Sequence, residues 1–129
     1  MNPDIAATAL AAAREAAAAA ADVIRHYWHR GVDVELKADA TPVTVADREA
    51  ERAIRKILQA ALPQASIYGE EFGLDGERGG LLWLVDPLDG TKSFVRRTPF
   101  FSTQLALMEG DELVLGVSSA PIYGETMWA

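Results

Sequence analysis

An alanine-rich segment at the start of the chain, residues 2–31, constrains the fold more than any other feature of the sequence. Alanine is the strongest helix former, so this segment is predicted to form one long helix. Asn2 can cap its N-terminus, Pro3 suits the first helical position, and Gly31 is a natural stop. Basic residues gather at its C-terminal end, where the helix dipole favours them. A metal-binding pair formed by the two histidines there is the less favoured alternative.

The rest of the sequence predicts a second helix followed by strands. Apolar residues recur at i, i+4, i+7, i+8 and i+11 from Ala50, which indicates a one-sided helix that Pro63 closes. The other predicted segments are a short strand and loop at 32–40, a strand running into an acidic turn at 66–73, a loop at 74–80, a strand buried on both faces at 81–86, and a three-stranded meander at 101–129. Because helices come first and neighbouring strands follow, the expected fold class is α+β.

Composition narrows the function classes. The chain of 129 residues has a formal net charge of −7 and no basic stripe, which argues against nucleic acid as a partner. It has no cysteine, which excludes disulfides, thiolate metal sites and cysteine nucleophiles. Neither a membrane span nor a secretory signal is predicted, so a cytoplasmic protein without a membrane partner is expected. An acidic surface also repels an anionic substrate unless a cation intervenes.

Acidic residues mark loop and helix-end positions along the chain. The set is Asp47, Glu70, Glu71, Asp86 and Asp89. If these carboxylates gather in one place, they repel one another and stay ionised only beside a cation. Donor sets made only of oxygen suit Mg²⁺ rather than Zn²⁺, and two such ions roughly 3.5–4 Å apart form a clamp for displacement at phosphorus. A bound metal would also resolve the conflict between an acidic surface and an anionic substrate.

The stretch from Asp86 to Thr91 combines several of these features. Asp86 directly follows an apolar strand, and Pro87 biases it towards an extended conformation. Asp89 lies one turn further on and can return its carboxylate towards that of Asp86, while Gly90 permits a positive φ. Thr91 can cap the short helix that follows, and the N–H groups at the start of that helix form a ready site for an anion such as phosphate.

Each of these features also has an ordinary structural interpretation. Thr44 and Asp47 match an imperfect capping box at the second helix. The two adjacent glutamates would suit a solvated loop, an Asp-Gly pair is a common turn, and Lys37 would be a surface lysine. The joint pattern is much less expected by chance, and it favours a site for metal and phosphate.

Three stretches resemble the inositol monophosphatase family of Mg²⁺-dependent, lithium-sensitive phosphomonoesterases. "WLVDPLDGTKSF" is similar to the family signature Asp-Pro-[Ile/Leu/Val]-Asp-Gly-Thr-x-x-Phe, "YGEEFG" to its Gly-Glu-Glu, and "LKADATPVTVAD" to its Lys-x-Asp…Val-Thr-x-Ala-Asp. The resemblance implies the layered α/β sandwich shared with fructose bisphosphatases, of which residues 1–129 would form the N-terminal, metal-binding half. It also implies hydrolysis of a small phosphomonoester, two or three Mg²⁺ ions and a homodimer.

The family pattern assigns metal ligands to four positions. Glu70, Asp86 and the backbone carbonyl of Leu88 would bind one ion. Asp86 and Asp89 would share a second ion, and Glu70 would also reach a third that is more weakly held.

The same pattern assigns the chemistry. Thr91, together with Glu70, would position the nucleophilic water, and the N–H groups of Gly90 and Thr91 would hold the phosphate. Asp47 would hydrogen-bond Thr91, a role that is compatible with capping. Supporting roles would fall to Lys37 and Glu71.

The second half of the family pattern has no counterpart in this sequence. That half carries the signature Trp-Asp-x-Ala-[Ala/Gly]-Gly, whose aspartate completes the second metal site, and most of the substrate-recognition residues. We therefore expect this chain to correspond to the front part of a longer enzyme and to be essentially inactive alone. The alternative is a fragment that only binds metal or oligomerises.

Two further distinctions depend on single stretches. A haloacid-dehalogenase-type phosphatase is disfavoured, because its nucleophilic aspartate would fall at position 87, which is occupied by Pro87. "GEEFG" and "DGTKSFV" are more similar to the histidinol-phosphatase type than to the inositol type. Histidinol phosphate is therefore the first expected substrate and inositol monophosphate the second.

Overall fold

The computed structural model describes residues 1–31, 33–38, 42–77 and 80–129. The elements are α1 (Pro3–Arg30), β1 (Val34–Leu36), β2 (Pro42–Thr44), α2 (Val45–Ala61), β3 (Ser66–Gly69), β4 (Gly73–Asp75), β5 (Leu81–Asp89), α3 (Thr91–Val95), β6 (Ser102–Glu109), β7 (Glu112–Ala120) and β8 (Glu125–Trp128). Helices α1 and α2 pack together against one face of a six-stranded sheet of order β4-β3-β5-β6-β7-β8, while β1 and β2 pair separately. The layered α+β fold predicted from the sequence is confirmed.

The long alanine-rich helix forms with the predicted ends. Asn2 Oδ1 accepts hydrogen bonds of 2.8 Å from the N–H of Asp4 and 3.4 Å from that of Ile5, and Gly31 ends the helix at φ 87°. Its buried face is made mostly of alanines: Ala9, Ala12, Ala13, Ala16, Ala17, Ala20 and Ala21. Such small side chains let α2 and the sheet approach the helix closely, so the alanine tract is a packing surface.

The strand β5 differs from its prediction in length and in burial. It runs from Leu81 to Asp89, beyond the predicted end at Asp86. Trp83 and Val85 are buried towards the helices, whereas Leu84, on the other face, is 38% exposed. The prediction of a strand buried on both faces is therefore wrong, because the helices cover only one side of the sheet.

Short strands account for the other differences. Residues 74–80 were predicted to be a loop, and residues 78 and 79 of it lie outside the described part of the chain. The start of this range instead belongs to β4, which pairs antiparallel with β3 in the register Ile67↔Asp75 and Gly69↔Gly73. A strand of three residues depends on such a partner rather than on its own sequence. The strand predicted within 32–40 is confirmed as β1, and residues 32 and 39–41 lie outside the described part of the chain. The three-stranded meander is confirmed as β6, β7 and β8.

Across the described ranges, no helix combines the length and apolarity needed to cross a membrane.

Candidate active site

Parallel pairing of β3 with β5 brings two of the predicted metal ligands side by side. The register pairs Gly69 with Val85, so the next residues along the two strands are Glu70 and Asp86. The N–H of Glu70 donates a hydrogen bond of 2.9 Å to the carbonyl of Val85, which fixes this end of the pair. Burial, and then the charges of Asp89 and Glu70, raise the pKa of Asp86 from 3.8 to about 6. Negative charge is therefore concentrated around Asp86.

Lys37 sits against the two adjacent glutamates. Its Nζ lies 3.0 Å from Glu71 Oε1 and 3.6 Å from Glu70 Oε1. The Glu71 side chain is only 5% exposed, and burial raises the pKa of its carboxyl, whereas the Glu70 side chain is 56% exposed. Burial works to lower the pKa of Lys37, but the hydrogen bond and charge of Glu71 outweigh it, so the pKa is raised. The lysine therefore stays charged and offsets part of the acidic cluster.

Asp47 carries out two tasks with its two oxygens. Oδ2 accepts hydrogen bonds of 2.8 Å from the N–H of Thr44 and 2.7 Å from its hydroxyl, which completes the capping box of α2. Oδ1 accepts a bond of 2.8 Å from the hydroxyl of Thr91. The Asp47 side chain is buried, so both bonds are shielded from water. Capping and contact with Thr91 coexist in the structure.

The short helix α3 begins one residue earlier than predicted. Its N-cap is Gly90, in the left-handed region at φ 98°, and no side chain caps the helix. Thr91 is instead the first helical residue, and its hydroxyl faces Asp47 and the carbonyl of Leu88, at 3.1 Å. The prediction that Thr91 caps α3 is wrong, because the glycine supplies the backbone turn and leaves the hydroxyl for these partners.

A bulge in β5 separates the two aspartates of the motif. The pairing of β5 with β6 is irregular between Asp86 and Asp89, where Pro87 interrupts the ladder. The buried hydroxyl of Thr103, on β6, donates a bond of 2.9 Å to the carbonyl of Pro87. Thr103 was not predicted to belong to the site, because no residue near it in the sequence reveals which strand lies opposite.

The acidic residues fit a metal by their chemistry, although they do not form a preassembled cage. Within the ranges that the structure describes, no three His, Asp or Glu side chains converge closely enough to enclose an ion. Carboxylates without a cation between them repel one another, and Lys37 Nζ lies 3.6 Å from Glu70 Oε1. The donors are carboxylate and carbonyl oxygens, the set that Mg²⁺ prefers, and they carry an excess of negative charge. Glu70, Asp86, Asp89 and the carbonyl of Leu88 would be the residues to hold such an ion.

Two open cavities flank these residues. A groove of about 670 Å³ runs along the uncovered face of the sheet and reaches Glu70 and Asp86. A smaller one, of about 320 Å³, is lined by Asp89, Gly90 and the aromatic side chains of Phe100 and Tyr123. The acidic cluster is therefore open to solvent on both sides, as access for a small substrate requires.

Sequence comparison connects this geometry with known proteins. Residues 6–129 match the model of the inositol monophosphatase family. The chain is 48% identical over 100 residues to a histidinol-phosphatase of Streptomyces coelicolor, and 43% identical over 96 residues to one of Mycobacterium tuberculosis. Each alignment covers 74% of this chain and 37% of the relative.

Solved structures show the same likeness in three dimensions. The extragenic suppressor protein suhB of Bartonella henselae superposes with a TM-score of 0.87 at 33% identity, over 93% of this chain and 48% of that one. An IMPase of Thermotoga maritima gives a TM-score of 0.78 at 39% identity, over 85% of this chain and 43% of that one. This chain therefore spans less than half the length of the relatives it matches. From the family match over residues 6–129 and the shared fold, the chain belongs to the inositol monophosphatase family.

Proposed function

We propose that this chain binds Mg²⁺ and the phosphate of a small phosphomonoester, and contributes these groups to hydrolysis of the ester. The observation that carries the proposal is the parallel register of β3 and β5, which places Glu70 beside Asp86. Glu70 directly follows β3 and Asp86 lies within β5. Together with the carbonyl of Leu88 and the carboxylate of Asp89 further along β5, they form a set of oxygen donors for a divalent cation. When bound, Mg²⁺ would supply positive charge that stabilises the transferring phosphoryl group.

The protein's own groups divide the remaining work. The hydroxyl of Thr91 donates its proton to Asp47, so its oxygen presents lone pairs that can accept a hydrogen bond from a water. Thr91 and Glu70 would together orient that water towards phosphorus. The N–H groups of Gly90 and Thr91 would hold the phosphate oxygens, and Lys37 would keep Glu71 paired and in place.

Histidinol phosphate is the substrate that we propose first. The matched relatives from Streptomyces coelicolor and Mycobacterium tuberculosis are named histidinol-phosphatases. An acidic site also attracts the amine of histidinol phosphate, whereas it is indifferent to the neutral ring of inositol. Inositol monophosphate is the second candidate, and a cytoplasmic homodimer is the proposed form of the protein.

The phosphatase assay measures phosphate release from histidinol phosphate and from inositol 1-phosphate at several Mg²⁺ concentrations, with EDTA as the control. It is run on this chain alone and on a version extended past Ala129, and the extended version is used wherever turnover is compared below. We expect this chain alone to be essentially inactive. In the extended version we expect release to need Mg²⁺ and the ratio of kcat/KM to favour histidinol phosphate. A ratio that favours inositol monophosphate about tenfold, or ~1.4 kcal/mol, would reverse the order of substrates. Hydrolysis that is undiminished in EDTA would contradict the role of the metal. Metal binding without hydrolysis in the extended version as well would instead support the alternative of a chain that only binds metal.

A further inference from the structure

Glu51, on helix α2, has a fully buried carboxylate that the proposed activity does not use. A buried charge is costly unless it is paired and hydrogen-bonded, so its partners explain why the fold tolerates it. Oε1 accepts a hydrogen bond of 2.8 Å from the N–H of Glu71, and Oε2 accepts one of 3.0 Å from the N–H of Phe72. Arg55, one helical turn further on, donates from Nε to Oε2 at 2.9 Å. Two of the three donors thus come from the turn that carries Glu70 and Glu71.

Arg55 ties the other end of the same turn to the helix. Its Nη2 donates to the carbonyl of Gly73, the first residue of β4. The Arg55 side chain is only 13% exposed, so its ion pair with Glu51 is shielded from solvent. The pair therefore holds the turn between β3 and β4 through backbone groups of Glu71, Phe72 and Gly73.

The glycine of the Gly-Glu-Glu motif is explained by this contact. A Cβ placed on Gly69 would lie 2.4 Å from both Cδ and Oε2 of Glu51. Gly69 is not among the residues with positive φ, so its backbone conformation does not require glycine. What requires it is the space that the Glu51 carboxylate occupies against the strand.

We propose that Glu51 is a positioning residue, which fixes the turn so that Glu70 stays beside Asp86 and thereby sets the affinity of the site for Mg²⁺. The inference rests on the proposed function, since it takes Glu70 and Asp86 to hold the metal. Glu51 itself touches neither metal nor substrate. Its effect passes through the N–H groups of Glu71 and Phe72. Each of these donates to a different oxygen of the Glu51 carboxylate. The substitution Glu51→Gln replaces one of the two acceptor oxygens by an NH₂ group. That NH₂ group then faces a backbone N–H of the turn, and two donors cannot form a hydrogen bond with each other.

The test compares Glu51→Gln and Gly69→Ala with the matched control Gln59→Ala. Gln59 also joins α2 to the β3–β4 hairpin, through an exposed bond of 2.9 Å to Asp75, but it does not touch the turn. Mn²⁺ binding is followed by electron paramagnetic resonance, and hydrogen exchange is followed at the amides of Glu71 and Phe72. All variants are measured at a temperature where circular dichroism shows them folded.

We expect Glu51→Gln and Gly69→Ala to weaken Mn²⁺ binding about tenfold or more, as loss of a group that orients a metal ligand does. Exchange of the Glu71 and Phe72 amides should be faster in both variants, and Gln59→Ala should change neither quantity. In the phosphatase assay, the Mg²⁺ concentration for half-maximal rate should rise more than the rate at saturating Mg²⁺ falls.

Unchanged Mn²⁺ affinity in the folded Glu51→Gln protein would overturn the inference and leave the proposed function standing. An equal loss of Mn²⁺ affinity in Gln59→Ala would overturn the inference too, because the effect would then come from general destabilisation. If Glu51→Gln does not fold, Gly69→Ala decides the matter, since it keeps the charge pair and only displaces it. A wild-type chain that binds no Mn²⁺ would overturn the proposed function, and the inference with it.

Discussion

The hydroxyl of Thr91 is held by Oδ1 of Asp47, a residue 44 positions earlier in the chain, at 2.8 Å. The other oxygen of the same carboxylate closes the capping box of α2 through Thr44. One buried side chain therefore joins the start of a helix to the residue proposed to orient the water. Substitutions of Thr44 and of Thr91 can separate the capping of α2 from the contact with Thr91.

Replacing Thr91 by alanine is expected to lower kcat about 100-fold, because an oriented water is worth that much in general acid–base chemistry. Affinity for Mg²⁺ should change little, since the hydroxyl is proposed to act on water rather than on the metal. Isothermal titration and steady-state kinetics measure the two quantities separately. Thr91→Ser, which keeps the hydroxyl, is the control. Lost Mg²⁺ binding with an intact rate in the loaded protein would show that this role is wrong.

Thr44→Ala should destabilise the protein by about 1 kcal/mol, because it removes the N-cap hydroxyl of α2. The bond between Asp47 and Thr91 does not involve Thr44, so turnover should be affected much less than in Asp47→Asn. Urea unfolding gives the free energy of unfolding, and the phosphatase assay gives turnover. Equal losses of turnover in the two variants would mean that the contact with Thr91 has no separate effect.

Asp86→Asn should stabilise the metal-free protein at neutral pH. The folded state raises the pKa of Asp86 from 3.8 to about 6, through burial first and then through the charges of Asp89 and Glu70. A raised pKa stabilises the fold fully below the unfolded value of 3.8, and this contribution is lost as the pH rises through about 6. After discounting for solvent screening, we expect a gain of about 1–2 kcal/mol at pH 7.5 that shrinks towards zero below pH 4. Urea unfolding in EDTA, at pH 7.5 and below pH 4, measures the difference in the free energy of unfolding between the variant and the wild type. A loss of stability at pH 7.5 would contradict the prediction.

In the version extended past Ala129, the same substitution should abolish Mg²⁺-dependent hydrolysis, because Asp86 is proposed to bridge two ions. Loss of charge stabilisation at the phosphoryl group should raise the activation barrier for hydrolysis by about 3 kcal/mol or more. The activity of a folded Asp86→Asn protein at saturating Mg²⁺ checks this. Turnover close to that of the wild type would remove the basis of the proposed metal site.

Gly90→Ala should be more destabilising than Gly124→Ala. Both glycines have positive φ, which costs an alanine about 1–2 kcal/mol. A Cβ on Gly90 would also meet the carbonyl oxygen of Phe100 at 3.0 Å and the Cβ of Phe101 at 3.2 Å, whereas Gly124 has open space. We expect the crowding to add about 1–3 kcal/mol. Thermal and urea unfolding of the two variants give the comparison, and equal values would show that the neighbours of Gly90 yield without cost.

Local hydrogen-bond chemistry explains why parts of the fold were predictable. Asn2, Gly31 and the pair Thr44 and Asp47 satisfy helix ends with groups that lie within a few residues of them. The bounds of α1 and the capping of α2 could therefore be predicted from short stretches of sequence. The meander was also predictable from local sequence, because the turn at Gly110 lies between two strands in which buried and partly exposed residues alternate.

The features that were missed depend on distant parts of the chain. Leu84 was expected to be buried, but whether a sheet face is covered depends on helices elsewhere in the sequence. Glu51 lies among the apolar positions Ala50 and Ile54 of α2, and an acid in such a place was a usable signal. Its partners at Glu71 and Phe72 could not be identified, because they are backbone groups 20 and 21 residues away. The metal ligands themselves, and the roles carried over to them from the family, stay predictions.

The parallel register of β3 and β5 also bears on the kinetics of folding. Glu70 and Asp86 become neighbours only when two strands separated by the β4 hairpin have paired. Parallel pairing requires a non-local contact, and such contacts form slowly. An ion that needs both carboxylates would therefore find its site only after these two strands have paired, late in folding. Mg²⁺ is then expected to slow unfolding far more than it speeds folding, so that the ion prolongs the lifetime of the folded chain without guiding the chain to that fold.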